Sequence, residues 1–183
     1  MKSKKTIIIC ALVTILILGG VISGVSLLFN HPLRIEKPTF IYIDRDDTAD
    51  SVYVKLQRDL NATHLTGFKI LARLKKYDQQ IHSGAYRFDA SINTLTLFRR
   101  LSSGHQTPVK VVIPSVRTLS RLARSLDRQL MPDSTEFARL VGDSAFCASL
   151  GFSLETMPAL FIPNTYEAYW NTDAEAFIQR MKK

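Results

Sequence analysis

The chain opens with its longest hydrophobic run. Thr6–Phe29 carries no charge and is mostly Ile, Leu, Val, Ala and Gly. At about 1.5 Å of rise per residue, a helix of this length exceeds a hydrocarbon core of roughly 30 Å. Lys2, Lys4 and Lys5 precede the run, and His31, Arg34 and the acidic Glu36 follow it. The pattern predicts a transmembrane helix over 6–29 after a cytoplasmic tail over 1–5. The positive-inside rule would place the rest of the chain beyond the inner membrane, as a single-pass protein. The rival reading is a cleaved signal peptide. It expects a shorter apolar core and a small-residue cleavage site, and neither is seen. Gly20 and Gly24 form a GxxxG spacing, which is common by chance in such runs.

Beyond residue 30 the patterning is that of an α+β protein. Residues 30–38 are polar, contain two prolines and read as a linker. Thr39–Asp44 alternates and is β-rich, predicting a strand. A cap within Asp46–Thr48 starts a helix with Val52, Leu56 and Leu60 at helical spacing. A second helix is expected from Thr66, with Phe68, Ile70, Leu71 and Leu74 apolar. Ser83-Gly84 breaks it, and Ala85–Phe88 returns as a strand. Ser91–Leu101 reads as a helix closed by Ser102-Ser103-Gly104. Pro108–Pro114 is a strand with Val109, Val111 and Ile113 on one face. Thr118 caps a helix carrying Leu119, Leu122, Leu126 and Leu130. Asp133 or Ser134 caps another, with Phe137, Leu140 and Val141 inward.

Two stretches run in register 70 residues apart: Ile43, Thr48, Val52, Leu56 and Leu60 match Ile113, Thr118, Leu122, Leu126 and Leu130. Each is a strand, a tight turn and a capped helix. Such a unit cannot bury its own apolar face, and two together can. An internal repeat explains the match, and so does the ease of aligning any two strand–helix units. Residues 145–163 are apolar and irregular. The last helix, capped by Thr172 or Asp173 with Phe177, Ile178 and Met181 apolar, reaches Lys183 with no stop signal and reads as interrupted.

Composition narrows the chemistry. The 183 residues carry a net charge of +8, and all 16 acidic residues lie beyond residue 30 with most of the 24 Lys and Arg. A mild, dispersed basic excess suits an anionic envelope surface rather than nucleic acid, which calls for a dense basic block. The two cysteines, Cys10 and Cys147, fall on opposite sides of the expected helix end, so no internal disulfide is expected. His31, His64, His82 and His105 show no ligand spacing, and neither a metal site nor a cofactor is expected. There is no Walker loop and no GxSxG. The densest aromatic cluster lies in Asn164–Asn171. Tyr166, Tyr169 and Trp170 could stack on sugar rings, with Asn164, Thr165 and Glu167 supplying polar contacts. The plainer reading is that Phe161, Ile162, Tyr166 and Trp170 anchor this segment to a core, and it is preferred for Tyr166 and Trp170.

Four stretches carry a resemblance: Ser83-Gly84-Ala85-Tyr86-Arg87-Phe88, Leu101-Ser102-Ser103-Gly104, Val111-Val112-Ile113-Pro114 and Phe161-Ile162-Pro163-Asn164-Thr165-Tyr166-Glu167. In order and spacing, behind a basic N-terminus and one apolar run, the chain resembles the endolytic murein transglycosylases, the MltG or YceG-like family. It departs in having Ser115-Val116 after Pro114 where many members have Glu-Gly, and Asn164 where many have Asp. The resemblance implies a LysM-like α+β region over 39–144 with a small sheet covered by helices. It also implies the start of a second, catalytic domain over 145–183. The implied activity is non-hydrolytic cleavage of nascent peptidoglycan glycan strands to 1,6-anhydro-muramic ends, with cell-wall synthesis proteins as further partners. The family's catalytic glutamate sits in an Ala-Ser-Ile-x-x-Glu pattern that this sequence lacks. No catalytic residue is therefore assigned, the chain alone is expected to be inactive, and a non-enzymatic, membrane-tethered peptidoglycan-binding or scaffold module is the alternative.

Overall fold

The computed structural model describes residues 2–30, 32–35, 37–62, 65–89, 91–115 and 118–182. His31, Glu36, His64, Val116 and Lys183, which entered the sequence reading, lie outside the described residues. The architecture is α+β. Its order is α1 (Lys2–Asn30), β1 (Pro32–Leu33), β2 (Thr39–Ile43), α2 (Ala49–Leu60), α3 (Thr66–Leu74), β3 (Gly84–Phe88), β4 (Ile92–Asn93), α4 (Thr94–Ser102), β5 (Val109–Ile113), α5 (Leu119–Asp127), α6 (Ser134–Val141), α7 (Ser144–Ser149), β6 (Asn164–Ala168) and α8 (Ala174–Met181). The strands form three two-stranded sheets, β1–β4, β2–β3 and β5–β6.

The expected transmembrane helix over 6–29 requires correction. The segment is helical, but among the described residues no helix is long and apolar enough to cross a membrane. A crossing takes about 20 consecutive apolar residues, and no described helix meets that requirement. The side chains of Leu12, Ile15, Leu16 and Ile22 in α1 are exposed.

The chain divides into two compact units. The first comprises Met1–Thr39, Thr48–Ile81 and Phe88–Ser103. Thr48 caps α2 through a reciprocal box: its hydroxyl accepts from the Ser51 amide at 3.2 Å, and the Ser51 hydroxyl accepts from the Thr48 amide at 2.9 Å. The helical spacing then buries Val52, Leu56 and Leu60. Phe68 meets Tyr53, Tyr77 and Phe98 edge to face, at centroid separations of 5.7, 5.9 and 5.6 Å, the geometry aromatic quadrupoles favour. On α3, Phe68 and Ala72 are buried while Ile70 and Leu74 are exposed, so its inward face is narrower than the sequence suggested. Helix α4 begins at Thr94 rather than at 91. Ile92 and Asn93 first pair with Leu33 and Pro32, and the Asn93 side chain then accepts from the Thr96 amide at 2.7 Å. The expected linker thus contributes a short strand.

The second unit comprises Phe40–Asp47, His82–Arg87 and Gly104–Lys183. Its core gathers Val109, Val111 and Ile113 of β5, Leu122 and Leu126 of α5, Phe137 and Leu140 of α6, and Phe177 and Ile178 of α8. Period-two alternation in β5 puts its three β-branched residues inward and Lys110 and Val112 outward. Thr118 caps α5, Asp133 caps α6, and Asp143 caps α7, a short helix within a stretch that reads as irregular from sequence. Gln129 fixes the end of α5 to β5. Its side-chain amide accepts from the Val112 amide at 2.7 Å and donates to the Val112 carbonyl at 3.0 Å, pairing the strand edge as another backbone would. The two strand–turn–helix stretches share their caps and buried positions. They differ in packing: β5 and α5 share one unit, whereas β2 and α2 are divided between the two.

Candidate functional site

The site lies in the second unit and starts from two strands. In β2, alternation buries Ile41 and Ile43 and leaves Tyr42 exposed. Phe40, two residues earlier on the same face, stacks with Tyr42 at 5.9 Å and an interplanar angle of 19°. The Arg87 guanidinium of β3 sits 5.9 Å from the Phe40 ring, a cation–π distance. Trp170 continues the row, with its ring centroid 5.1 Å from that of Tyr42.

Trp170 is held from both sides. Its carbonyl accepts from the Met131 amide at 2.8 Å. The next side chain, Asn171, donates to the Ser83 carbonyl at 2.9 Å. The indole packs against the core with one part and remains half-exposed. A ring fixed before its ligand arrives loses less entropy on binding.

Sheet β5–β6 supplies the polar side. The antiparallel register places Lys110 opposite Glu167 and Val112 opposite Thr165, all exposed, with Val111 opposite Tyr166 facing inward. Two open clefts result. One, of about 540 Å³, is lined by Tyr42, Lys110, Arg128, Gln129 and Trp170. The other, of about 520 Å³, is lined by Phe40, Tyr42, Arg87, Lys110 and Glu167. Tyr42, Val109 and Lys110 belong to both, so the clefts adjoin. The arrangement is an aromatic floor with cationic groups and one carboxylate at its edges. It suits a ligand with apolar ring faces and polar rims.

The residues singled out from sequence separate by role. Glu167 and Trp170 enter the clefts. Tyr166 packs against the core and donates its hydroxyl proton to the Ile162 carbonyl at 3.0 Å. Asn164 accepts from the Thr165 amide at 2.8 Å, a local contact, and both residues are exposed on β6. Tyr169 is 49% exposed and lines neither cleft. Sequence reasoning missed Phe40, Tyr42, Arg87, Lys110 and Arg128. The outward tyrosine in the alternating stretch Thr39–Ile43 was the available signal. No described carboxylate is buried, and no group of acidic, His or Cys side chains that could hold a metal is found among the described residues.

A family model described as the YceG-like family matches residues 41–183. Curated proteins give no match. Among solved structures, a 2.6 Å crystal structure of a yceG-like protein from Listeria monocytogenes is similar, at 17% identity and a TM-score of 0.40. The alignment covers 80% of this chain and 54% of that one, so the chain spans about half the length of that protein. With the family match running over most of its length, the chain belongs to the YceG-like family.

Proposed function

We propose that the protein serves in endolytic cleavage of peptidoglycan and that its described residues bind the glycan strand. The observation carrying this reading is the Phe40–Tyr42–Trp170 row, flanked by Arg87, Lys110 and Glu167. Sugar rings present one apolar C–H face that stacks on aromatic rings, and hydroxyl and amide rims that hydrogen-bond to charged side chains. In transglycosylation a carboxylic acid protonates the glycosidic oxygen as its bond to the anomeric carbon breaks, and the carboxylate so formed takes the proton of the muramic 6-hydroxyl as that oxygen bonds to the anomeric carbon, giving the 1,6-anhydro end. An acid kept protonated near neutrality is typically a buried one. Every described carboxylate is at least partly exposed, which favours a binding role for these residues over the acid's.

The test is co-sedimentation of the purified chain with insoluble murein. The wild-type chain is expected in the pellet, a smaller fraction of Tyr42→Ala and Trp170→Ala with it, and no anhydro-muropeptides among the products. A wild-type chain that stays in solution refutes glycan binding, and anhydro products from it refute the binding-only role.

A further inference from the structure

Helix α5 turns Leu122, Ala123 and Leu126 inward. On its other side it presents Arg121 and Arg124, with Arg128 just past its end. Spacings of three and four residues put the guanidinium groups on one face. They line an open cleft of about 520 Å³ with Pro114, Ser125 and Asp127. Like charges at these spacings repel. The first turn holds no acidic residue, so Arg121 sits uncompensated at the positive end of the macrodipole, whereas Arg124 in the last turn and Arg128 at the C-cap lie at its favourable end. Asp127 is the one carboxylate among the described residues of this lining, and its Oδ1 accepts from the Ser134 amide at 3.0 Å. Arg124 donates from Nε to the Ser120 carbonyl at 3.4 Å, and its terminal nitrogens have no partner among the described residues. A face with three arginines against one described carboxylate is suited to an anionic ligand.

Asp127 and Arg128 also line the cleft that contains Tyr42 and Trp170. The cationic cleft is therefore continuous with the aromatic one. In a stem-bearing strand the lactyl carboxyl of each muramic residue is consumed in the amide to its peptide, so the sugar backbone is neutral and gives guanidinium groups nothing to pair with. Muramic residues, however, carry peptide stems that end and branch in carboxylates, which planar guanidinium forks bind in bidentate fashion. We infer that Arg121 and Arg124 read the stem carboxylates of a glycan strand seated in the adjoining aromatic cleft, making the protein selective for peptide-bearing over bare strands. The inference rests on the glycan-binding reading above.

The experiment titrates the full chain with two soluble probes: glycan strands stripped of peptides by an amidase, with the lactyl carboxylates so freed capped as methyl amides, and the same strands with stems intact. Stem-bearing strands should bind more tightly, and raising the salt should shrink the preference. Arg121→Gln and Arg124→Gln should each reduce binding of stem-bearing strands by about two- to five-fold, the range of exposed ion pairs. The double variant should leave bare-strand binding unchanged. Equal wild-type affinity for both probes overturns the inference while glycan binding stands. Failure to bind either probe removes the glycan reading, and the inference with it. A double variant that loses bare strands as well shows that the arginines shape the cleft and do not read stems. Equal competition by a soluble phosphodiester polymer shows a general anion surface, and the inference fails.

Discussion

The rings of Tyr42 and Trp170 lie 5.1 Å apart, centroid to centroid, at an interplanar angle of 59°. Trp170 is the chain's one tryptophan, so its emission reports this contact alone. Glycan strands are expected to change the emission saturably. Trp170→Ala should weaken binding by about 0.5–1.5 kcal/mol, the scale of an aromatic contact beyond its area, and Trp170→Phe should retain part of it. Calorimetric titration of the variants measures this. Unchanged affinity in Trp170→Ala would remove the indole from the site.

Gly84 has a φ of +150°, and a Cβ there would lie 2.5 Å from Oε1 and 2.8 Å from Cδ of Gln106. Gly84→Ala should therefore lower stability by about 1–3 kcal/mol, combining backbone strain with overlap. Adding Gln106→Ala should recover the overlap but not the strain. Urea denaturation of the two variants separates the contributions.

Burial pushes the Tyr86 phenol up to about 12 from its ordinary 10.0, and its hydroxyl donates to the His82 carbonyl at 2.9 Å. The unfolded chain releases this proton first, so the native state binds more protons between these values and stability falls as pH rises through them. Below pH 10 the contribution is complete. Thermal melts from pH 9 to 12 should show the loss in the wild type and a shallower one in Tyr86→Phe.

Asp133 caps α6. Its carboxylate is held below the usual range first by the Thr135 hydroxyl and then by the Glu136 amide, which it accepts at 2.5 and 2.8 Å. A lowered native value contributes stability above the ordinary carboxylate range, and that contribution is lost as pH falls through the native value. Asparagine caps as well as aspartate. Asp133→Asn should therefore keep the helix at neutral pH and flatten the acid limb of the stability curve. Acid titration followed by circular dichroism checks both.

Local physics made much of the second unit legible. Alternation of Val109, Val111 and Ile113 marks a half-buried strand wherever it sits, and Thr118 and Asp133 mark helix starts because their side chains reach amides only three residues on. Phe137, Leu140, Phe177 and Ile178 face the core as helical spacing required. The candidate site was half legible. The aromatic segment with Glu167 and Trp170 stood out by composition, while Tyr42 read only as the outward position of a strand.

The sequence by itself determined the elements that one turn or one strand decides: capped helices, alternating strands, and a basic, cysteine-poor chain with its aromatics clustered late. Tertiary structure decided what depends on residues far apart. It set β6 against β5, so that Lys110 meets Glu167, brought Tyr42 to Trp170, and closed the edge of β5 with Gln129. It also began α4 later than its pattern implied, because β1 claims the preceding residues. The physical reason is common to all of these. Periodicity records which face of an element is buried but not which partner buries it, and pairing across long loops follows from the packing of the whole unit.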